Sequence, residues 1–149
     1  MEIKITVNDR EAKDLINKLK SRLEDMTSVM SGVSGTMLHA VEENFAREGR
    51  PKWPGLAEST KKQRARKGHW PGKILQMSGQ LASSVMPRFD RSSATVGTNK
   101  SYAAIQQFGG VAGKGHKAKI PARPFMALAE EDTEAIMMRI KRYITEGLK

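Results

Sequence analysis

From Ala12 to Phe45 apolar side chains recur at every third or fourth position: Ala12, Leu15, Leu19, Leu23, Met26, Met30, Val33, Met37, Val41 and Phe45. That period predicts an amphipathic helix from near Arg10, with Asn8 or Asp9 able to cap it. Before it, Ile3, Ile5 and Val7 alternate with polar residues, the period of a short strand. The stripe is far longer than an average helix, and Ser31-Gly32-Val33-Ser34-Gly35 places two glycines inside it. Each costs about 1 kcal/mol relative to alanine in a helix interior. A kink or break is therefore expected at Ser31–Gly35, giving two helices. Gly49 and Pro51 stop the second near Glu48, because glycine caps a helix end and proline cannot continue one.

Beyond Gly49 the apolar pattern shortens. Residues 49–57 predict an ordered loop around Trp53, and Glu58–Arg66 a short basic helix. Lys67–Gly72 is another loop, Ser78-Gly79 a turn, and Leu81–Val85 fits either helix or strand. Val85, Pro87 and Phe89, then Ala94–Gly97, predict two strands joined across Asp90–Ser93. Tyr102–Phe108 reads as a helical turn ended by Gly109. The stretch from Gly109 to Lys119, rich in glycine and lysine, reads as a mobile loop. After Pro124 the positions of Phe125, Leu128, Ala129, Ile136, Ile140, Tyr143 and Ile144 predict a terminal helix. The expected fold class is α+β: a small antiparallel sheet flanked by long N-terminal and C-terminal helices, in one domain spanning residues 1–149.

Composition refines this picture at three points. Only 5% of residues are aromatic while nine are methionine, so the core is aliphatic and adaptable. The absence of cysteine removes disulfides and thiolate metal sites. The N-terminus lacks the apolar run of a signal peptide, and no segment approaches the roughly 18 to 20 apolar residues of a membrane span. Synthesis in the cytoplasm without export, and no membrane partner, are expected.

Charge is uneven along the chain. The net charge is +10, yet residues 1–46 carry six basic and eight acidic groups. Residues 47–73 carry nine basic groups against Glu48 and Glu58, and residues 100–124 carry five basic groups with no acid. Such a field favours a polyanionic neighbour, either nucleic acid or an acidic protein surface, although it also serves plain solubility. Lys61, Lys62, Arg64, Arg66 and Lys67 on the short helix, with Lys114, Lys117 and Lys119 in the glycine-rich loop, are the candidate contacts. No aromatic residues interleave with the helical cluster, which argues against a stacking platform for single strands.

Candidate chemistry is sparse. Gly109–Gly115 invites comparison with a phosphate-binding loop, but its glycine spacing is wrong. Gly115 also stands where Ser or Thr should bind magnesium, and no apolar helix follows. His39, His69 and His116 are isolated from one another and from paired carboxylates, so no metal site is expected. Glu42-Glu43 and Glu130-Glu131-Asp132 suit a solvated face or a helix N-terminal turn, where negative charge complements the dipole. No serine sits in a nucleophile elbow. No catalytic residue, cofactor or metal is expected, and the chain does not read as an enzyme.

The residues that remain are suited to fitting against other parts. Pro124 holds Arg123 out of the helical region, which presents a fixed guanidinium able to grip a carboxylate or to serve as an internal cap. Phe125 is then a core anchor at the helix start. Trp53 and Trp70 stand in loops beside proline and positive charge, where tryptophan either pins a loop or anchors an interface. Tyr102 and Phe108 join Trp53, Trp70, Arg123 and Phe125 as candidate interface residues.

The order of short pieces is itself informative. Phe45, Gly49, Pro51-x-Trp53, Leu56, Thr60 and Arg64 precede Ile74-Leu75 and Ser78-Gly79-x-Leu81. Then come Gly97-Thr98, Tyr102-Ala103, Gln107-Phe108-Gly109-Gly110 and Ile120-Pro121-Ala122-Arg123-Pro124-Phe125. This series, over roughly residues 40 to 130, resembles the phage virion-morphogenesis family, the tail-completion proteins of Mu-like and P2-like tailed phages. The resemblance implies a virion protein of the tail or neck, forming an oligomeric ring, commonly six-fold, at the top of the tail. Its partners would be its own copies, the tail tube, the head connector and DNA in the channel. A basic nucleic-acid-binding protein and a tail-assembly factor left out of the finished particle are the alternatives.

Overall fold

A computed structural model describes residues 9–146, so the strand expected at Ile3–Val7 lies outside the described residues. The described elements are α1 (Arg10–Glu24), α2 (Thr27–Arg47), α3 (Glu58–Arg66), α4 (Gln80–Ser83), β1 (Met86–Phe89) and β2 (Ala94–Gly97). They continue with α5 (Ala103–Phe108), β3 (Gly110–Ala112), β4 (Ala118–Ile120) and α6 (Glu130–Glu146). This is an α+β fold.

The long apolar stripe does divide into two helices, but at Asp25–Met26 and not at the glycines. Asp25 is extended (φ −135°), and its carboxylate accepts the Thr27 N–H (3.0 Å) and hydroxyl (2.6 Å). The Met26 N–H donates to the Arg91 carbonyl at 3.0 Å. A short polar side chain offers the backbone a competing partner and starts a new helix. Gly32 and Gly35 sit inside α2. At Gly32 a β-carbon would lie 2.6 Å from Arg139 Nη1 of α6, so the missing side chain lets that arginine lie across the helix.

α2 forms the centre of the fold, packing on α6 and on the β1–β2 hairpin. Val29, Met30 and Val33 form one apolar cluster with Ile136, Ile140 and Tyr143 of α6. Val41 and Phe45, in the last two turns of α2, form a second with Trp53, Leu81, Val85, Ala103 and Phe125. Phe125 is fully buried against the Phe45 ring (5.4 Å between centroids), and Trp53 meets Phe45 edge-on at 5.9 Å. α1 differs from α2 in burying none of its residues. Arg22 at its end lies 4.9 Å over the Tyr143 ring and donates to the Tyr143 carbonyl, which ties α1 to α6.

The sheet content is two separate antiparallel hairpins. In the first Met86 faces Gly97 and Phe89 faces Ala94, and the Asp90 carboxylate closes the turn by accepting the Ser92 and Ser93 N–H groups (2.8 Å each). In the second Gly110 faces Ile120 and Ala112 faces Ala118. The stretch expected as a loop from Gly109 to Lys119 is therefore mostly a hairpin.

The terminal helix also departs from its expected start. It begins at Glu130, and Pro124 opens no helix. The backbone from Pro124 to Ala127 is bound instead by side chains. Asn44 donates to the Phe125 and Ala127 carbonyls (3.0 and 2.8 Å), Trp53 Nε1 to the Pro124 carbonyl (3.3 Å), and Gln107 Oε1 accepts the Met126 N–H (3.0 Å). Polar backbone satisfied this way has no need of a helix. Asp132 then caps α6 by accepting the Ala129 N–H at 2.9 Å. No helix among the described residues is long and apolar enough to cross a membrane.

Candidate functional site

The end of α2 sets the site. Glu48 turns left-handed (φ 56°) and Gly49 follows at φ 100°, where a β-carbon would come within 2.5 Å of the Pro51 carbonyl and the Trp53 ring. Only glycine fits that tight reversal. The carbonyls left open at the helix end are taken by side chains: Phe45 by Gln76 (2.8 Å), Ala46 by Lys73 (2.9 Å) and Arg47 by Lys52 (2.7 Å). The two lysines also suit the negative end of the helix dipole.

Arg50, which sequence reasoning passed over, is the hub of this region. Its guanidinium donates to Asn44 Oδ1 (2.9 Å), the Ala40 carbonyl (3.0 Å), Asp132 Oδ2 (2.7 Å) and Glu131 Oε1 (2.8 Å). Burial opposes its charge, but the hydrogen bonds to Asp132 and Glu131 outweigh that and raise its pKa. The acidic run at the α6 start is thus partly a structural partner. An arginine standing before a proline gives no hint of carboxylates more than eighty residues away.

Arg123 turns inward. It is 5% exposed, with Nε donating to the Pro54 carbonyl and Nη2 to the Gly55 carbonyl, both at 3.0 Å. It therefore holds the loop after Trp53 from within. Trp53 and Phe125 are buried as well, so three of the six candidate interface residues are core residues. The other three are on the surface: Trp70 (38% exposed), Tyr102 (42%) and Phe108 (78%). They are not brought into one cluster. Trp70 has Lys61 Nζ 5.8 Å above its ring, and Tyr102 borders a hollow that Phe108 does not reach.

The basic strip is also split. Lys62, Arg66, Lys67, Lys114, Lys117 and Lys119 are exposed, and Lys61 is half-buried and paired with Glu58 at 2.5 Å. Arg64 departs from the expected surface contact. It is 8% exposed and donates through Nη1 to the Lys73 carbonyl at 2.9 Å. Burial, and then the nearby charge of Arg64, lower the pKa of Arg123.

These two arginines line a cleft of about 730 Å³ between the segment from Gly55 through α3 and the strand β4 with Pro121. Leu56, Leu75 and Ile120 supply apolar wall, and Lys119 reaches the cleft from β4. Arg64, Leu75 and Gln106 also border a second hollow of about 270 Å³ that runs on to Tyr102 and Met77. Arg64 of the first basic segment and Lys119 of the second thus face one cleft. Among the described residues no group of histidine and acidic side chains is arranged to hold a metal.

Residues 7–145 match the phage virion morphogenesis family. The chain is 37% identical to Mu-like prophage FluMu G protein 2 of Haemophilus influenzae over 143 residues, covering 96% of this chain and 95% of that one. FluMu G protein 1 of the same organism is 30% identical over 86% of this chain and 90% of its own length. The "Putative capsid assembly protein G" of Escherichia phage Mu is 27% identical over all of this chain and 98% of its own. No solved structure matches. With nearly its whole length matched, the chain belongs to the phage virion morphogenesis family.

Proposed function

We propose that this chain is a structural subunit of the tail-completion or neck class, which closes into a ring at the head-proximal end of the tail and allows head and tail to join. The observation that carries the reading is the apolar surface left outside the core. α1 exposes Leu15, Ile16 and Leu23, α6 exposes Met137 and Met138, and Phe108 is 78% exposed. We read these exposed side chains as contacts with other proteins, which a closed heterologous ring would cover. Family membership supports a role in building the phage particle.

The partners are then further copies of this chain, the tail tube and the head connector, with the exposed lysines facing DNA or an acidic surface. The capsid-assembly name of the phage Mu relative favours a second reading, an assembly factor that does not stay in the particle. Complementation separates the two. Lysates lacking this protein should accumulate separate heads and tails, and purified protein should restore joined particles that retain it in stoichiometric amount. Joined particles from which it is missing would favour the assembly factor, and joining without it would end both readings.

A further inference from the structure

Arg64 and Arg123 line one cleft, and two largely buried cations there without an anion are costly. Arg64 and Arg123 are each more than nine-tenths buried, and among the described residues their hydrogen bonds go to the backbone carbonyls of Lys73, Pro54 and Gly55. None of the ion pairs of the described residues includes either. Each guanidinium has five N–H donors, so donors remain on both. Arg50 shows the contrast within the same chain, since its part-buried guanidinium is matched by two carboxylates.

Both unmatched arginines border the cleft between α3 and β4. We propose that this cleft binds an acidic, extended segment of a neighbouring protein, with one carboxylate of that segment on the Arg64–Arg123 pair. The wall chemistry selects the occupant. Leu56, Leu75 and Ile120 offer apolar contact between charged points, as a peptide alternating carboxylates and aliphatic side chains requires. A second hollow toward Tyr102 shares Arg64, Leu75 and Gln106 with the cleft and gives an extended chain more surface to follow than a compact anion needs. Lys119 on the cleft margin adds a second cation for a flanking acid. Duplex DNA is the poorer fit, because its phosphates lie on a convex cylinder met by protruding side chains, whereas these charges lie in a concavity. The lowered pKa of Arg123, caused by burial and by Arg64, points the same way, as an arriving carboxylate relieves both.

The inference rests on the reading that this chain docks against other virion parts, but not on the ring. The probe is a fluorescein-labelled peptide of alternating Glu and Leu, with a Gln-for-Glu copy as control and duplex DNA as competitor. Fluorescence polarisation should show binding of the Glu peptide at least tenfold tighter than the Gln copy. Lys119→Glu, on an exposed position of β4, should weaken binding tenfold or more with the melting temperature unchanged. The side-chain Nε–H resonance of Arg123 should shift with peptide and not with the Gln copy. Equal binding of the two peptides, binding indifferent to Lys119→Glu with Arg123 unmoved, or binding of DNA alone would each overturn the proposal. Loss of peptide binding in a protein that still forms rings and joins heads to tails would remove the groove and leave the structural role standing.

Discussion

Single residues show where local chemistry sets the backbone. Asp90 holds its turn by accepting hydrogen bonds from the Ser93 hydroxyl (2.7 Å) and from the Ser92 and Ser93 N–H groups, which bring its pKa down from 3.8 to about 2. Because the folded pKa lies below the unfolded one, its contribution is fully present above pH 3.8 and is lost as pH falls toward 2. A carboxyl-carbon NMR titration should give Asp90 a midpoint near 2, and a midpoint near 3.8 would mean the turn is not held this way. The Arg50–Asp132 pair sets a larger effect. Asp132→Ala leaves the Arg50 guanidinium without its closest carboxylate and should cost about 3 kcal/mol in denaturant unfolding. A loss under about 1 kcal/mol, the worth of a surface pair, would show that Glu131 and solvent suffice. Gly49 as a helix stop and Gly109 as the end of α5 were legible in the sequence, because each acts on near neighbours in the chain. The roles of Arg50, Arg64 and Arg123 were not, since their partners are set by the tertiary fold.

At the level of elements, apolar period located the helices well and their ends less well. α3 falls on Glu58–Arg66 as expected, and α2 stops where Gly49 and Pro51 require. The misplaced break followed from treating glycine as the dominant local cost, when the Asp25–Thr27 hydrogen bonds and a backbone bond to Arg91 decide the division. The late start of α6 has a similar origin, because Asn44, Trp53 and Gln107 bind backbone that would otherwise join the helix. The two α2 glycines now separate. Nothing lies within 4 Å of a β-carbon built at Gly35, so Gly35→Ala should stabilise the protein by about 0.5–1 kcal/mol through helix propensity. Destabilisation on chemical unfolding would show instead that this face of α2 needs the bare backbone.

For the whole molecule, the distribution of apolar surface matters more than the folded core. Two modest clusters hold α2, α6 and the first hairpin, while α1 stays amphipathic with none of its residues buried. The chain of 149 residues carries a net charge of +10, and the proposed role has its uncovered apolar faces meet other proteins. The α+β class and the family were legible because helix period and the ordered turn motifs survive in one dimension. The cleft was not, since it joins segments from Gly55 to Arg123 that only the fold brings together. The central claim is that copies of this chain close on one another. The most direct test is the solution mass of the purified protein by light scattering, at low and high salt and with tail tubes added. A discrete ring mass, or a monomer that converts to one on tail tubes, is the predicted result. A strict monomer that ignores tail tubes and connector, yet binds duplex DNA tightly at low salt, would contradict it.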